Sequence, residues 1–464
     1  MTFRFAGRCR LSLALALAMP WLGGPALAAG PAPVGGPDLV KLAWLTDLSF
    51  GAKESYDDNF TIVSGLGLPV QTSWVSQLSF KLGVELASSL GAAASIKSLA
   101  LTYQPETFIY AQSSEESYTA HRFNTTVKGE VGGIKFGLEN AFLHNDGSKL
   151  ALTYALNQLA GAAGNQLDKF RSFYTQTPPR ERRNQDQDRA SGQMQYDAAK
   201  FFLRSVAALT YYNLNTRLFN SSVAPYKGYQ DYPDRWDANA GVDLGLKLAE
   251  GFAVTLGYRF GYQHQDPFSS GISSDPHYSS NHYQRVLVGV EGKLAQWLNV
   301  KVGVGPDFRA FNPAAPISDL RTTRPFLEGS FTANLPAHQT LTGSYRQSVW
   351  VSATGIVPYT ETVSSLAWHW NATKQWGFDL GARYLEANYQ LGNDLAGSAP
   401  SLRDDAEYEG SCGFSYALHS HLTASVTYVF DKGFNALHGL PQAFSPDYRN
   451  FTHGITGLSM LYRF

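Results

Sequence analysis

The most restrictive feature of this chain is a recurring two-residue period. From Phe252 to Gln263, the residues Phe252, Val254, Leu256, Tyr258, Phe260 and Tyr262 are all apolar or aromatic, and Ala253, Thr255, Gly257, Arg259, Gly261 and Gln263 lie between them. Successive side chains of an extended strand point to opposite faces, so this segment has one face suited to hydrocarbon and one suited to water. A helix would instead return its apolar residues every three or four positions. The same period appears in Leu298–Val304, Trp376–Tyr384 and Leu422–Tyr428. Beyond residue 40 no apolar run approaches the ~20 residues of a membrane-spanning helix. A membrane form of the chain must therefore be a closed barrel of strands, which leaves no backbone group unpaired in lipid.

Alternation alone also fits a soluble β-sandwich, and the lengths of the connections separate the two. Short links fall at Gly132-Gly133, Asp197-Ala198-Ala199, Ala249-Glu250-Gly251, Ala295-Gln296-Trp297, Pro336-Ala337-His338, Thr373-Lys374-Gln375 and His419-Ser420-His421. Between them lie mostly long, polar segments near 57–72, 146–187, 214–232, 267–279, 312–321, 392–402 and 434–445. Short periplasmic turns and long external loops are the pattern of an outer-membrane barrel. The expected fold is all-β: a transmembrane, antiparallel, up-and-down barrel of about 18 strands, each near 9 to 11 residues, with 16 or 20 strands if one hairpin is fused or split.

The first residues read as an export signal. Arg4, Arg8 and Arg10 precede the apolar stretch LSLALALAMPWL, and Ala26-Leu27-Ala28 offers a small-residue cleavage site. The expected organisation is a signal peptide over 1–28, a short periplasmic segment over 29–40 and an outer-membrane barrel over 41–464. Cys9 leaves with the signal and Cys412 is then single, so no intramolecular disulfide is expected.

Aromatic residues make up 13% of the chain, while the mean hydropathy is −0.21. That combination suits a lipid-facing surface around a wet interior. With 37 basic and 38 acidic residues the net charge is −1, so bulk charge implies no nucleic acid partner. Aromatics cluster where the membrane interfaces would fall: Trp297, Trp368, Trp370, Trp376, Tyr462 and Phe464 beside short turns, and Phe260, Tyr262, Tyr384, Tyr428 and Phe430 at the opposite strand ends.

If the apolar faces meet lipid, parity sends Arg259, Arg285, Lys293, Lys301, Arg309, Arg346, Arg383, Glu291, Asp307 and Asp379 to the interior, together with Lys128, Glu130, Asp237, Asp243 and Lys247. A barrel of this strand number holds water, so these groups are candidates for lining a pore, hydrated or paired across strands. Their slight basic excess hints at tolerance of anionic solutes. The third external connection, near 146–187, is the longest and ends with Arg180, Arg182 and Arg183 after Pro178-Pro179. By position it resembles the third loop of general porins, which folds inward to narrow the pore. That resemblance makes the three arginines constriction candidates, although the acidic loop motif of those porins is absent.

Enzymatic signals are thin. His419, Ser420 and His421 share a turn without a partnered carboxylate, and alternation would point adjacent side chains apart. No metal-ligand spacing such as H-E-x-x-H or paired cysteines is present, so neither a cofactor nor a metal is expected.

Leu458, Met460, Tyr462 and Phe464 alternate with Gly457, Ser459, Leu461 and Arg463, and the sequence stops on Phe464. This ending resembles that of outer-membrane barrels generally. The resemblance implies that Phe464 and Tyr462 form the signal read by the barrel-assembly machinery. The run Ser55-Tyr56-Asp57-Asp58-Asn59-Phe60, followed after a loop by Ser73-Trp74-Val75-Ser76-Gln77-Leu78-Ser79-Phe80, is similar to the β-barrel porin family encoded with exopolysaccharide genes. From this the expected function is a passive outer-membrane channel for small polar solutes. An exopolysaccharide-export component and an outer-membrane lipid-modifying enzyme are the alternatives. Outer-membrane lipid and either small polar solutes or polysaccharide are the expected partners, and the oligomeric state is left open.

Overall fold

The computed structural model describes residues 42–60, 70–87, 95–147, 184–215, 218–219, 229–230, 234–266, 279–315, 317, 319–351, 358–389, 402–438 and 451–464. The expected signal peptide and periplasmic segment lie outside these residues.

Period-two patterning yields strands throughout: β1 (Leu45–Asp57), β2 (Ser73–Glu85), β3 (Ile96–Tyr110), β4 (Tyr118–Val131), β5 (Ile134–Asn145), β6 (Gln185–Asp197) and β7 (Phe201–Asn213). A two-residue pair, β8 (Leu218–Phe219) and β9 (Tyr229–Gln230), lies in the next connection. The series continues with β10 (Arg235–Ala249), β11 (Phe252–Gln265), β12 (Asn281–Ala295), β13 (Leu298–Phe311), β14 (Arg321–Leu335) and β15 (Gln339–Trp350). It ends with β16 (Tyr359–Asn371), β17 (Trp376–Tyr389), β18 (Leu402–His419), β19 (Leu422–His438) and β20 (Phe451–Arg463). Apart from β8 and β9, the strands form one antiparallel sheet of eighteen, each paired with its neighbours in sequence and β7 with β10. The last strand returns to the first, from Ser49↔Arg463 to Asp57↔Ile455. The sheet is thus a closed barrel.

All seven expected short links join consecutive strands on one side of the barrel. In the Gly132-Gly133 link, φ is +56° and +80°. A two-residue hairpin needs this left-handed pair, and glycine adopts it without a Cβ clash. Three further connections complete the ring: Glu85 to Ile96 on that side, and Tyr110 to Tyr118 and Trp350 to Tyr359 on the other. The last two lack the length of the other long connections. Strands run from 12 to 18 residues, longer than expected. At about 3.3 Å per residue and a tilt near 40°, a 13-residue strand spans roughly 33 Å, against an apolar band of about 25 Å. The extra residues extend the wall past the hydrocarbon into the interfacial zones.

The two faces differ as the period requires. On β11, Leu256 and Phe260 are 53% and 51% exposed, whereas Ala253 and Gln263 on the opposite face are 6% and 1% exposed. Among the described residues, two buried apolar clusters lie at the long-connection end. One joins Phe60, Val75, Tyr110, Tyr118, Ala120 and Leu143; the other joins Phe311, Ala315, Ile317, Val349, Tyr359 and Ala387.

Candidate functional site

Register puts the candidate lining residues on the inward face. Arg259 lies opposite Arg285, which lies opposite Asp307; Glu291 lies opposite Lys301, and Lys293 opposite Asn299. The same face continues through Glu328↔Arg346, Ser365↔Arg383 and His369↔Asp379. Most of these side chains are paired with one another. Among the described residues, no ion-pair or hydrogen-bond partner meets the side-chain amino group of Lys293 or Lys301.

The most enclosed group centres on Tyr283, an aromatic residue that strand parity puts inside the lumen. Its ring is met by the guanidinium groups of Arg285, at 4.1 Å, and Arg309, at 4.7 Å. Its hydroxyl donates to Asp237 at 3.0 Å. Asp307 accepts from Arg285 and from Arg309 at 2.9 Å each, and Arg309 also donates to Gln263 Oε1 at 2.7 Å and Asn281 Oδ1 at 3.0 Å. Gly261 makes this possible, because a Cβ there would run into the Tyr283 ring. Cation–π contact and charge-assisted hydrogen bonds together fix side chains that would otherwise sweep the lumen.

Nearer the short turns, Arg204 donates to both oxygens of Glu291, at 2.9 and 2.7 Å, and to Asp243 at 3.0 Å. Arg259 pairs with the other Asp243 oxygen at 2.7 Å. These groups, with Lys301, Glu328 and a floor of Gly257, Gly289 and Gly303, line a recess open to the lumen. The small floor residues leave the charged side chains as its walls. Further round the ring, Arg346 pairs with Glu361 at 2.6 Å, His369 with Asp379 at 2.7 Å and Arg383 with Glu409 at 3.7 Å.

The outer mouth is narrowed by an element that sequence reasoning did not single out. Pairing of β14 with β15 stops at Leu327↔Gln347, while β15 and β16 stay paired out to Trp350↔Tyr359. The end of this hairpin has therefore left the wall. Gln263 on β11 donates to the Val349 carbonyl at 3.1 Å, and Arg235 on β10 donates to the Val351 carbonyl at 2.6 Å. Four strand spacings separate β11 from β15, about 19 Å along the wall, a gap that no glutamine side chain spans. Val349, on the face that points to lipid lower in the strand, is only 1% exposed and belongs to the buried cluster that holds Ala315 and Ile317. The third long connection, expected to form the constriction through Arg180, Arg182 and Arg183, lies outside the described residues.

The Ser55–Phe60 motif occupies the seam between the first and last strands. His453 donates through Nε2 to Asp57 at 2.9 Å, the Gly454 amide donates to Asp58 at 2.6 Å, and Asn59 donates to the Thr452 carbonyl at 3.0 Å. On the opposite rim, the Phe464 amide donates to Leu48 O at 3.0 Å, and its ring meets Tyr462 edge-on at 4.8 Å. In the His419–His421 turn, Ser420 Oγ lies 3.1 Å from His419 Nδ1 and the two imidazoles stack. Turn geometry thus overrides the alternation that was expected to separate these side chains. Among the described residues no cluster of three or more metal-ligating side chains is found.

No protein-family model matches the chain, and no curated protein matches it. Solved structures do match its barrel. OccAB3 of Acinetobacter baumannii aligns with a TM-score of 0.41 and 11% identity, over 90% of this chain and 99% of its own. OccK2 (OpdF) of Pseudomonas aeruginosa, solved with glucuronate, aligns at 0.40 and 10% over 90% and 98%. The outer membrane protein opdK of Pseudomonas aeruginosa aligns at 0.39 and 11% over 90% and 98%. The barrel itself is established by the strand pairing described above, and what its lumen passes is argued below from this chain's own side chains.

Proposed function

We propose that the chain is an outer-membrane channel through which small polar solutes diffuse passively. The carrying observation is the closed ring of eighteen strands with charged residues facing in and large apolar residues facing out. An interior of a soluble barrel this wide would have to be filled with apolar side chains; here it is lined by ion pairs, lysines and an open recess, which suits water. The mature barrel would reach the membrane through the signal peptide and the assembly machinery, with Tyr462 and Phe464 as the recognised end. Lys293 and Lys301 remain the best-placed groups to meet a passing solute, since no protein partner among the described residues holds them.

The test is conductance of the purified, refolded mature chain in a planar bilayer, with a reversal potential under a salt gradient. Discrete, stable steps with weak ion preference are expected. A heat-modifiable barrel that stays electrically silent would overturn the channel reading.

The second reading is a component of exopolysaccharide export, favoured by the Ser55–Phe60 resemblance. The seam contacts of Asp57, Asp58 and Asn59 give those residues a structural role in closing the barrel, which is why passive diffusion is preferred. Deleting the chain in cells with polymer synthesis switched on and off distinguishes the readings: an export component matters only in the first state.

A further inference from the structure

We propose that the outer throat carries a station for the carboxylate group of small solutes, built from Arg235, Arg346, Ser348 and Trp350. This deepens the channel reading and rests on it. Arg235 is 5% exposed, and no carboxylate among the described residues pairs with it. Its partners are the Val351 carbonyl, the Tyr359 hydroxyl and the Tyr212 ring, 4.9 Å from the guanidinium carbon. Its Nε has no acceptor. Arg346, Ser348 and Trp350 are successive inward residues of β15, and the inward lean of that hairpin brings them to the same place. Arg346 Nε, Trp350 Nε1 and Ser348 Oγ are also buried without a partner, and the Arg346 guanidinium stacks 5.6 Å from the Trp350 ring.

Three of these four unmet groups can only donate. A buried cation without a counter-charge, beside several buried donors without acceptors, is unfavourable until an anion with more than one acceptor atom arrives. A carboxylate supplies two oxygens in a plane that matches guanidinium geometry, together with the missing charge. The Glu361 carboxylate is already engaged by Arg346 and most of the unmet groups only donate, so the site favours an anion over a cation, and a neutral solute would leave Arg235 uncompensated. Tyr212 and Trp350 add ring faces, so a carboxylate on a planar body gains further contact.

The probe is benzoate, added to single channels in potassium chloride and, separately, to the detergent-solubilised barrel in a thermal melt. Wild type should show concentration-dependent current block and a raised melting temperature. Arg235→Gln and Arg346→Gln should each raise the half-blocking concentration about tenfold. Lys81→Gln, which removes an equal charge from an exposed lysine on β2 that pairs with Asp47, should leave the block unchanged. Equal half-blocking concentrations in wild type and both arginine variants would overturn the proposal. So would an equal loss in Lys81→Gln, since that would mean only the overall lumen charge matters. Should Arg235→Gln fail to assemble, Trp350→Phe, which keeps a ring and removes one donor, decides: wild-type block in that variant overturns the station. If wild type conducts nothing, the channel reading has failed; the melt then tests the station alone, and a benzoate shift equal in wild type and Trp350→Phe would overturn it.

Discussion

At the scale of single residues, the lumen wall is held by a few side chains that share one partner. Asp307 accepts from both Arg285 and Arg309; Asp307 and Arg309 are buried and Arg285 is largely covered. Removing one member of a buried charge cluster costs more than forming it contributes, because the remaining charges cannot rehydrate. Asp307→Asn should therefore lower stability by about 3 kcal/mol, measured by urea unfolding of the barrel in micelles. A change below about 0.5 kcal/mol would mean that water solvates the two arginines, as at an ordinary surface site. Gly261 makes a different contribution, since its missing Cβ is what lets the Tyr283 ring lie against the wall. Gly261→Ala should push the ring away and weaken its bond to Asp237, destabilising the barrel by about 1–3 kcal/mol. A matched Tyr283→Ala, Gly261→Ala pair should remove most of that penalty if the clash is the cause.

At the scale of elements, the final strand joins assembly to structure. Its Phe464 amide bonds back to Leu48 and its ring lies 6.0 Å from Phe50 on the first strand. Phe464→Ser should thus reduce the yield of heat-modifiable barrel in the outer membrane while leaving synthesis intact; normal yield would count against the terminal residue as an assembly signal. Elements also show how much could be read in advance. β11 was legible because Phe252, Val254, Leu256, Tyr258 and Phe260 all face lipid and only small or polar residues face in. β7 was not, because Phe202 and Val206 point inward on either side of Arg204, so both faces look apolar and the arginine that binds Glu291 and Asp243 carries no period. Tyr283 was concealed in the same way, since an aromatic residue on a barrel strand is usually taken for an interface anchor. The outer end of the β15–β16 hairpin defeated pattern reading for a tertiary reason. Val351 and Pro358, the described ends of its connection, are both buried, so they meet other parts of this protein and not water.

At the scale of the whole molecule, a net charge of −1 conceals an uneven distribution. Strands β18 and β19 turn Asp405, Glu407, Glu409 and Asp431 inward, and in a ring of eighteen they lie across from β7 and β10, where Arg204, Arg235 and Lys247 face in beside only Asp237 and Asp243, so the acidic excess lies on one side. Water between them sits in a field directed across the pore, which orients dipolar solutes as they pass and favours those whose charges are separated.

The seam of this ring is a test of completeness. The bonds from Asp57, Asp58 and Asn59 to His453, Gly454 and Thr452 join positions up to 396 residues apart. Loop-closure entropy rises only logarithmically with such a separation, so fastening the ends of the whole chain costs little more than fastening half of it. What the separation imposes is order in time, since contacts this distant form last. A chain shortened before residue 452 has nothing to offer the first strand, which then keeps an open edge with unpaired backbone groups that lipid cannot satisfy. The clasp thereby makes the first strand's stability in the bilayer conditional on the arrival of the last.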